Sequence, residues 1–255
     1  MIHRGSIALC LFAGLAAAQP KHYTCYRAAS PIQIDGRLND TAWRNAPWTD
    51  AFIDIQGAAH PSPRFRTRAK MLWDDQYFYV AAELQEPHVW ATLTEHDSVI
   101  FRDNDFEVFL NPSGDGRNYF EFEINALNTG WDLFLPKPYR EGGKADNSWE
   151  IPGLRTAVSV QGTLNQSRDR DRGWSVEIAF PWTAFGARAP VARPAEGSEW
   201  RVNFSRVEWQ TRVEAGKYVK LPDRKEDNWV WSPQGLINMH VPDRWGYVRF
   251  SGARP

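Results

Sequence analysis

Residues 101–135 read FRDNDFEVFLNPSGDGRNYFEFEINALNTGWDLFL, and their alternation decides the fold. Phe106, Val108 and Leu110 fall on one face of an extended segment, with Asp105, Glu107 and Phe109 on the other. A turn built from Asn111-Pro112-Ser113-Gly114-Asp115-Gly116 follows. Alternation then resumes, with Phe120, Phe122, Ile124 and Ala126 one way and Tyr119, Glu121, Glu123 and Asn125 the other. Period-two patterning on both sides of a Gly/Pro/Asp turn predicts an antiparallel strand pair. One face must pack on a core. The other carries a row of carboxylates, although like charges directly opposite each other on paired strands repel. That row is where a ligand is expected.

Working outward, the same strand-and-turn texture continues. Thr67–Asp74 and Tyr77–Leu84 are predicted strands joined at Asp74-Asp75-Gln76, and further strands are expected at 154–164, 174–180, 200–209, from 228, and at 245–250. Ile32 and Ile34 predict a short strand, and Asn39 or Asp40 caps a single helical turn leading to Trp43. Pro181-Trp182 opens a second short helix. Residues 136–153 form a Pro/Gly-rich excursion, and 215–228 a charged loop. Eight to ten strands, no long helix and no repeat predict one all-β domain over 19–255, a single antiparallel jelly-roll-like β-sandwich with short helical turns and long loops.

Composition narrows the function. The 255 residues carry a formal charge of −1, which gives no basis for nucleic-acid or anionic-membrane binding. Thirteen Trp residues fit both a β-sandwich core and sugar recognition, where the C–H face of a pyranose stacks on a ring. Residues 1–18 read as a secretory signal, with Arg4, the apolar run Ile7–Leu15 and small Ala16-Ala17-Ala18. Cleavage after Ala18 removes Cys10 and leaves Cys25 alone, so no intrachain disulfide is expected; Leu9 before Cys10 argues against a lipoprotein. The expected product is exported, secreted or periplasmic, with no membrane span.

Three chemistries are open to the polar row. Its carboxylates and amides can hydrogen-bond sugar hydroxyls. Two of Glu107, Glu121 and Glu123 can act as the acid and nucleophile of a glycosidic-bond hydrolase. Asn111, Ser113 and Asp115 space oxygen ligands at alternate positions near Asp103 and Asp105, as a Ca²⁺ loop does, although a plain hairpin turn needs the same residues. Met239-His240 places a soft ligand beside an imidazole, which suits haem iron. The sequence contains no G-x-S-x-G elbow, H-E-x-x-H, C-x-x-C or Gly-rich phosphate loop.

IDGRLNDTAW (34–43), KMLWDDQYFYVAAEL (70–84), DNDFEVFL (103–110), FEIN (122–125), GWSVEIAFPW (173–182) and WGYVRF (245–250) occur in the order of one family's blocks. Together they resemble the family 9 carbohydrate-binding modules, within the DOMON-like β-sandwiches, and most of all the family's free-standing secreted branch. The resemblance implies a non-catalytic protein of polysaccharide catabolism that pinches a sugar or glycan end between two aromatic rings on the concave face. It places the sugar-bonding strand Glu at Glu107, the first ring at Phe101, and an amide at or near Ser205 and Asn203. It puts the second ring near Met239, flanked by Asn238 and His240, where no ring stands; Trp90, Trp131, Trp229 or Trp231 could supply it. The family's FRVN strand becomes FEIN, so Glu123 replaces a cation. Structural calcium is also implied, and DOMON-like relatives include haem-binding redox modules.

Overall fold

A computed structural model of the chain describes residues 19–186, 188 and 193–255; the predicted signal segment and Cys10 lie outside them. One continuous hydrogen-bonded sheet folds over on itself, and its halves face each other across a shared core. The front half runs β7 (Gly130–Leu135), β6 (Tyr119–Asn125), β5 (Asp105–Asn111), β10 (Glu199–Glu208) and β14 (Gly246–Ser251). The path continues through β1 (His22–Arg27) into the back half, β3 (Thr67–Trp73), β4 (Tyr77–Gln85), β9 (Gly173–Pro181) and β8 (Arg155–Gln161). β13 (Asp227–Val230) adds to the far end of β10 and carries β2 (Ile53–Asp54), while β11 (Thr211–Glu214) and β12 (Lys217–Lys220) form a separate hairpin. The helices are single turns, α1 (Thr41–Asn45) and α2 (Trp182–Phe185).

The predicted alternation sets the layers. Phe106, Val108 and Leu110, with Phe120, Phe122 and Ile124, enter the same core as Phe78, Val80, Val176, Ile178 and Phe180 of the back half. The ring centroids of Phe122 and Phe180 sit 6.0 Å apart at 87°, an edge-to-face contact across the two layers. At one end the layers are tied by Arg206, wholly buried, which donates to Glu86 at 2.8 Å, Glu208 at 2.7 Å and Thr67 Oγ1 at 3.0 Å.

The motif IDGRLNDTAW has a physical explanation on the outer face of the back half. Glu177 accepts the N–H groups of Asp35 at 2.9 Å and Gly36 at 2.8 Å, and the indole N–H of Trp43 at 2.7 Å. Gly36 has φ +81°, and a Cβ there would stand 2.5 Å from the backbone of Val158. Only glycine fits. The segment thus lays Ile32, Ala42 and Trp43 over Leu72, Tyr79 and Ala81.

Four expectations change. Ile32–Ile34 forms no strand, because Asp40 takes the Gln33 N–H and the segment serves as a cover. Asp40 stands at the N-cap of α1 without a side-chain cap bond. The sheet is not wholly antiparallel, since β1 pairs in parallel with both β14 and β3. The described residues form fourteen strands against the eight to ten expected, chiefly through β1, the two-residue β2 and the β11–β12 hairpin, whose second strand lies inside the charged stretch. No helix of the described residues is long and apolar enough to cross a membrane.

Candidate functional site

The polar face of β5, β6 and β10 forms the floor of a cavity of about 310 Å³. Register fixes who meets whom there. Glu107 stands opposite Glu123 on β6 and opposite Ser205 on β10, and Glu121 pairs with Phe109 and Leu133. Phe101 and Trp131 line the cavity with centroids 6.2 Å apart, and Tyr139 and His240 also line it, their rings 4.5 Å apart at 80°. Phe101 is 38% exposed, Tyr139 44% and Ile237 68%, so the rim is open and apolar while the floor is buried and acidic. Glu226 adds a further carboxylate, and neither Lys nor Arg is among the described lining residues.

Burial raises Glu107, Glu121, Glu123 and Asp105. Glu107 is pushed up to about 7 by loss of solvent, with Ser205 working against the shift and Glu226 for it. Loss of solvent, then the Glu107 charge, lifts Glu121, Glu123 and Asp105 well above the usual carboxylate range. Near neutrality these groups therefore hold protons among them, and can both accept and donate hydrogen bonds. His240, by contrast, is desolvated down to about 4 and is neutral, its Nδ1 bonded to the Tyr119 hydroxyl at 3.0 Å. Glu123 accepts the Phe101 N–H at 2.9 Å, which fixes the rim ring relative to the floor. Glu121 Oε2, Asp105 Oδ2 and Ser205 Oγ are buried with no hydrogen-bond partner among the described residues. Buried polar atoms are normally paired, so the Glu121 orphan, which lines the cavity, marks a place for a ligand.

The structure brings together Phe101, Glu107, Glu121, Glu123, Trp131, Asn238 and His240 of the residues expected from sequence. Others do not line the cavity. Asn125 is occupied by Leu93 O, Asp103 and the N–H groups of Leu127 and Thr129. Asn203 is occupied by both backbone groups of Ser232 and by Phe204 N–H. Ser205 lies behind Glu107, wholly buried. Trp231 and Trp229 belong to the core, and Trp90 lines a separate cavity of about 500 Å³ with Lys217 and Tyr218. Met239 does line the cavity with His240, but it is 7% exposed and packs in the apolar cluster with Ile55, Phe109 and Trp245.

The four expected calcium ligands do not converge. Asp103 accepts from Thr92, Leu93 and Asn125, while Asn111 and Asp115 close the hairpin turn through Gly116 N–H and Arg117 N–H. Asp105 and Asn111 lie at opposite ends of β5, which at about 3.3 Å per residue separates them by roughly 20 Å. Asp105 instead meets Glu107 and Glu123, with one oxygen of each within 4.8 Å of the others. Tyr139, Glu226 and Ile237 escaped the sequence analysis because they sit in irregular segments, where no period reports a direction. An aromatic between Pro138 and Gly142 was the available signal.

Residues 34–249 match the family model for the carbohydrate family 9 binding domain-like proteins. The chain belongs to that family. It is 25% identical over 173 residues to exoglucanase XynX of Acetivibrio thermocellus, covering 68% of this chain and 13% of the relative. It is 26% identical over 151 residues to endo-1,4-beta-xylanase A of Thermoanaerobacterium saccharolyticum, covering 59% and 11%. The match thus spans about an eighth of these relatives. Among solved structures, the chain resembles a family 9 module from Caldicellulosiruptor kristjanssonii in complex with cellotriose (TM-score 0.59, 18% identity, 91% of this chain and 95% of that one). A family 9 module from the same organism in complex with glucose gives TM-score 0.58 at 17% identity, covering 91% and 97%. Fold and family are therefore fixed together.

Proposed function

We propose that this family 9 domain is an exported, non-catalytic carbohydrate-binding protein of polysaccharide breakdown, and that it holds a sugar or glycan end in the cavity over β5 and β6. The observation that carries the reading is a buried carboxylate floor with an orphaned Glu121 oxygen beneath an open rim of rings. Vicinal hydroxyls offer paired donors to such oxygens, and a pyranose face offers the flat apolar partner that Phe101, Trp131 and Tyr139 need. The missing second ring near Met239 is supplied from elsewhere in the chain, by Tyr139 beside His240. A floor without cations favours neutral sugars and rejects uronic acids, whose carboxylates it would repel. Membership in a family with cellotriose- and glucose-bound structures supports the same substrate class.

The test is calorimetric screening of neutral, amino and acidic oligosaccharides against the wild-type protein and Glu107→Gln. Binding of a neutral glycan, weakened at least tenfold in Glu107→Gln with an unchanged circular dichroism spectrum, is the expected result. Unchanged binding in that variant removes the site assignment, and turnover of aryl glycosides lost in Glu107→Gln replaces the binding reading with a hydrolase. Titrations with and without added Ca²⁺ report whether Asp105, Glu107 and Glu123 recruit that ion beside the sugar. N-terminal sequencing of the exported protein checks cleavage after Ala18.

A further inference from the structure

Where residues 94–98 meet the start of β7, with Asp97 N–H donating to Gly130 O, four side chains bring one donor atom each to a common point. His96 Nε2 lies 3.0 Å from Glu150 Oε2 and 3.4 Å from both Asp97 Oδ1 and Asp132 Oδ1. All four atoms lie within 4.8 Å of one another. Nitrogen and oxygen ligands about 2.0–2.1 Å from a tetrahedral ion stand about 3.3–3.4 Å apart along each edge. The spacings around His96 are of that size.

A second observation points into the same space. Asp132 is 1% exposed, and its Oδ1, turned toward His96, is buried without a hydrogen-bond partner. Its other oxygen accepts the Ile151 N–H, which holds the carboxylate in this orientation as outer partners hold metal ligands. Asp97 Oδ1 is likewise buried and unpartnered. Among the described residues, no Lys or Arg pairs with Asp97, Asp132 or Glu150. Three carboxylates exceed what one imidazole can neutralise, even protonated. A divalent cation supplies the missing charge and the missing partner at once.

We propose that His96, Asp97, Asp132 and Glu150 bind a divalent d-block cation, zinc being the ion their donor set and spacing fit. The imidazole argues against calcium, which takes about six to eight oxygen ligands at longer distances. The site shares no residue with the calcium set expected from the spacing of Asp103, Asp105, Asn111 and Asp115. Its position gives the ion a task. Glu150 belongs to the 136–153 excursion that carries Tyr139, and Asp132 follows Trp131 on β7, so the ion staples the excursion to the strand whose ring lines the cavity.

The experiment is calorimetric titration of chelator-treated protein with ZnCl2 at pH 7.5, followed by thermal melting and tryptic digestion with and without the metal. One site per chain is expected, with a raised melting temperature and slower cleavage at Arg140 and Lys144. His96 is about half exposed, so His96→Ala folds normally and is expected to weaken zinc at least tenfold. Asp132→Asn should weaken it similarly, and His60→Ala, a histidine outside the cluster, should leave it unchanged. Absence of micromolar binding, zinc binding that survives His96→Ala, or binding lost in His60→Ala overturns the proposal. So does calcium bound more tightly than zinc.

Discussion

Glu121 shows at the level of one side chain what a buried acidic floor costs. One of its oxygens meets no donor, and desolvation followed by the Glu107 charge raises its pKa well above the ordinary carboxylate value. In the unfolded chain the group ionises at its ordinary value of 4.5, so the folded state holds an extra proton above that pH. Stability from this group is thus complete below about pH 4.5 and is lost as pH rises. Glu107 adds a loss of the same sign between 4.5 and about 7. His240 runs the other way, losing stability as pH falls from 6.5 toward about 4. Glu121→Gln keeps the shape and removes the titration. It is expected to melt higher than wild type at pH 8, by about 2–4 °C for each kcal/mol regained, with the gap closing toward pH 4.5. Melting curves across that range check it, and a gap that widens in acid refutes the burial argument.

At the level of elements, the entry segment and strand β9 specify each other. Glu177→Leu leaves three donors, from Asp35, Gly36 and Trp43, without their acceptor. Each unsatisfied buried donor costs about 1–3 kcal/mol, so a total loss of about 3 kcal/mol or more is expected in urea denaturation. Gly36→Ala should be destabilising for a separate reason, the collision with Val158. The hairpins β3–β4 and β5–β6 were legible because each alternates strictly around a turn rich in Asp, Asn or Gly. β1 was not, since HYTCYR carries no clean alternation and its partners lie far off in sequence. The β11–β12 hairpin was hidden by its charge, for it packs little and needs no apolar face. The site divided in the same way. Residues on strands declared their direction by parity, whereas Tyr139 and Glu226 sit where parity has no meaning. Parity also misled, placing Asn125 and Asn203 on the right face while their backbone partners consumed every amide atom.

For the molecule as a whole, Arg206 is the clearest tie between the two layers. It carries a full charge in the core and holds Glu86 and Glu208, while its guanidinium lies 5.2 Å from the Trp229 ring. Glu208 is nevertheless driven up to about 8 by burial, with Arg206 pulling it down and Glu86 adding to the rise. Removing one member of such a group strands the others, at about 3–5 kcal/mol. Arg206→Met is therefore expected to lower the denaturation midpoint sharply, although methionine fills much of the same volume. An unchanged midpoint would mean that the layers are held by their rings alone.

Strand β1 occupies the seam between the two halves, flanked on both sides by strands running in its own direction, one of them β14. No tight reversal can deliver a strand to such a place, so it has to wait for a neighbour made at the other extreme of the chain. Until that neighbour arrives, Tyr23 and Cys25 have no finished interior to enter, and the fold behaves as an unzipped cylinder. Pairing across so long a stretch of sequence slows folding, so closure of this seam is the step expected to limit its rate.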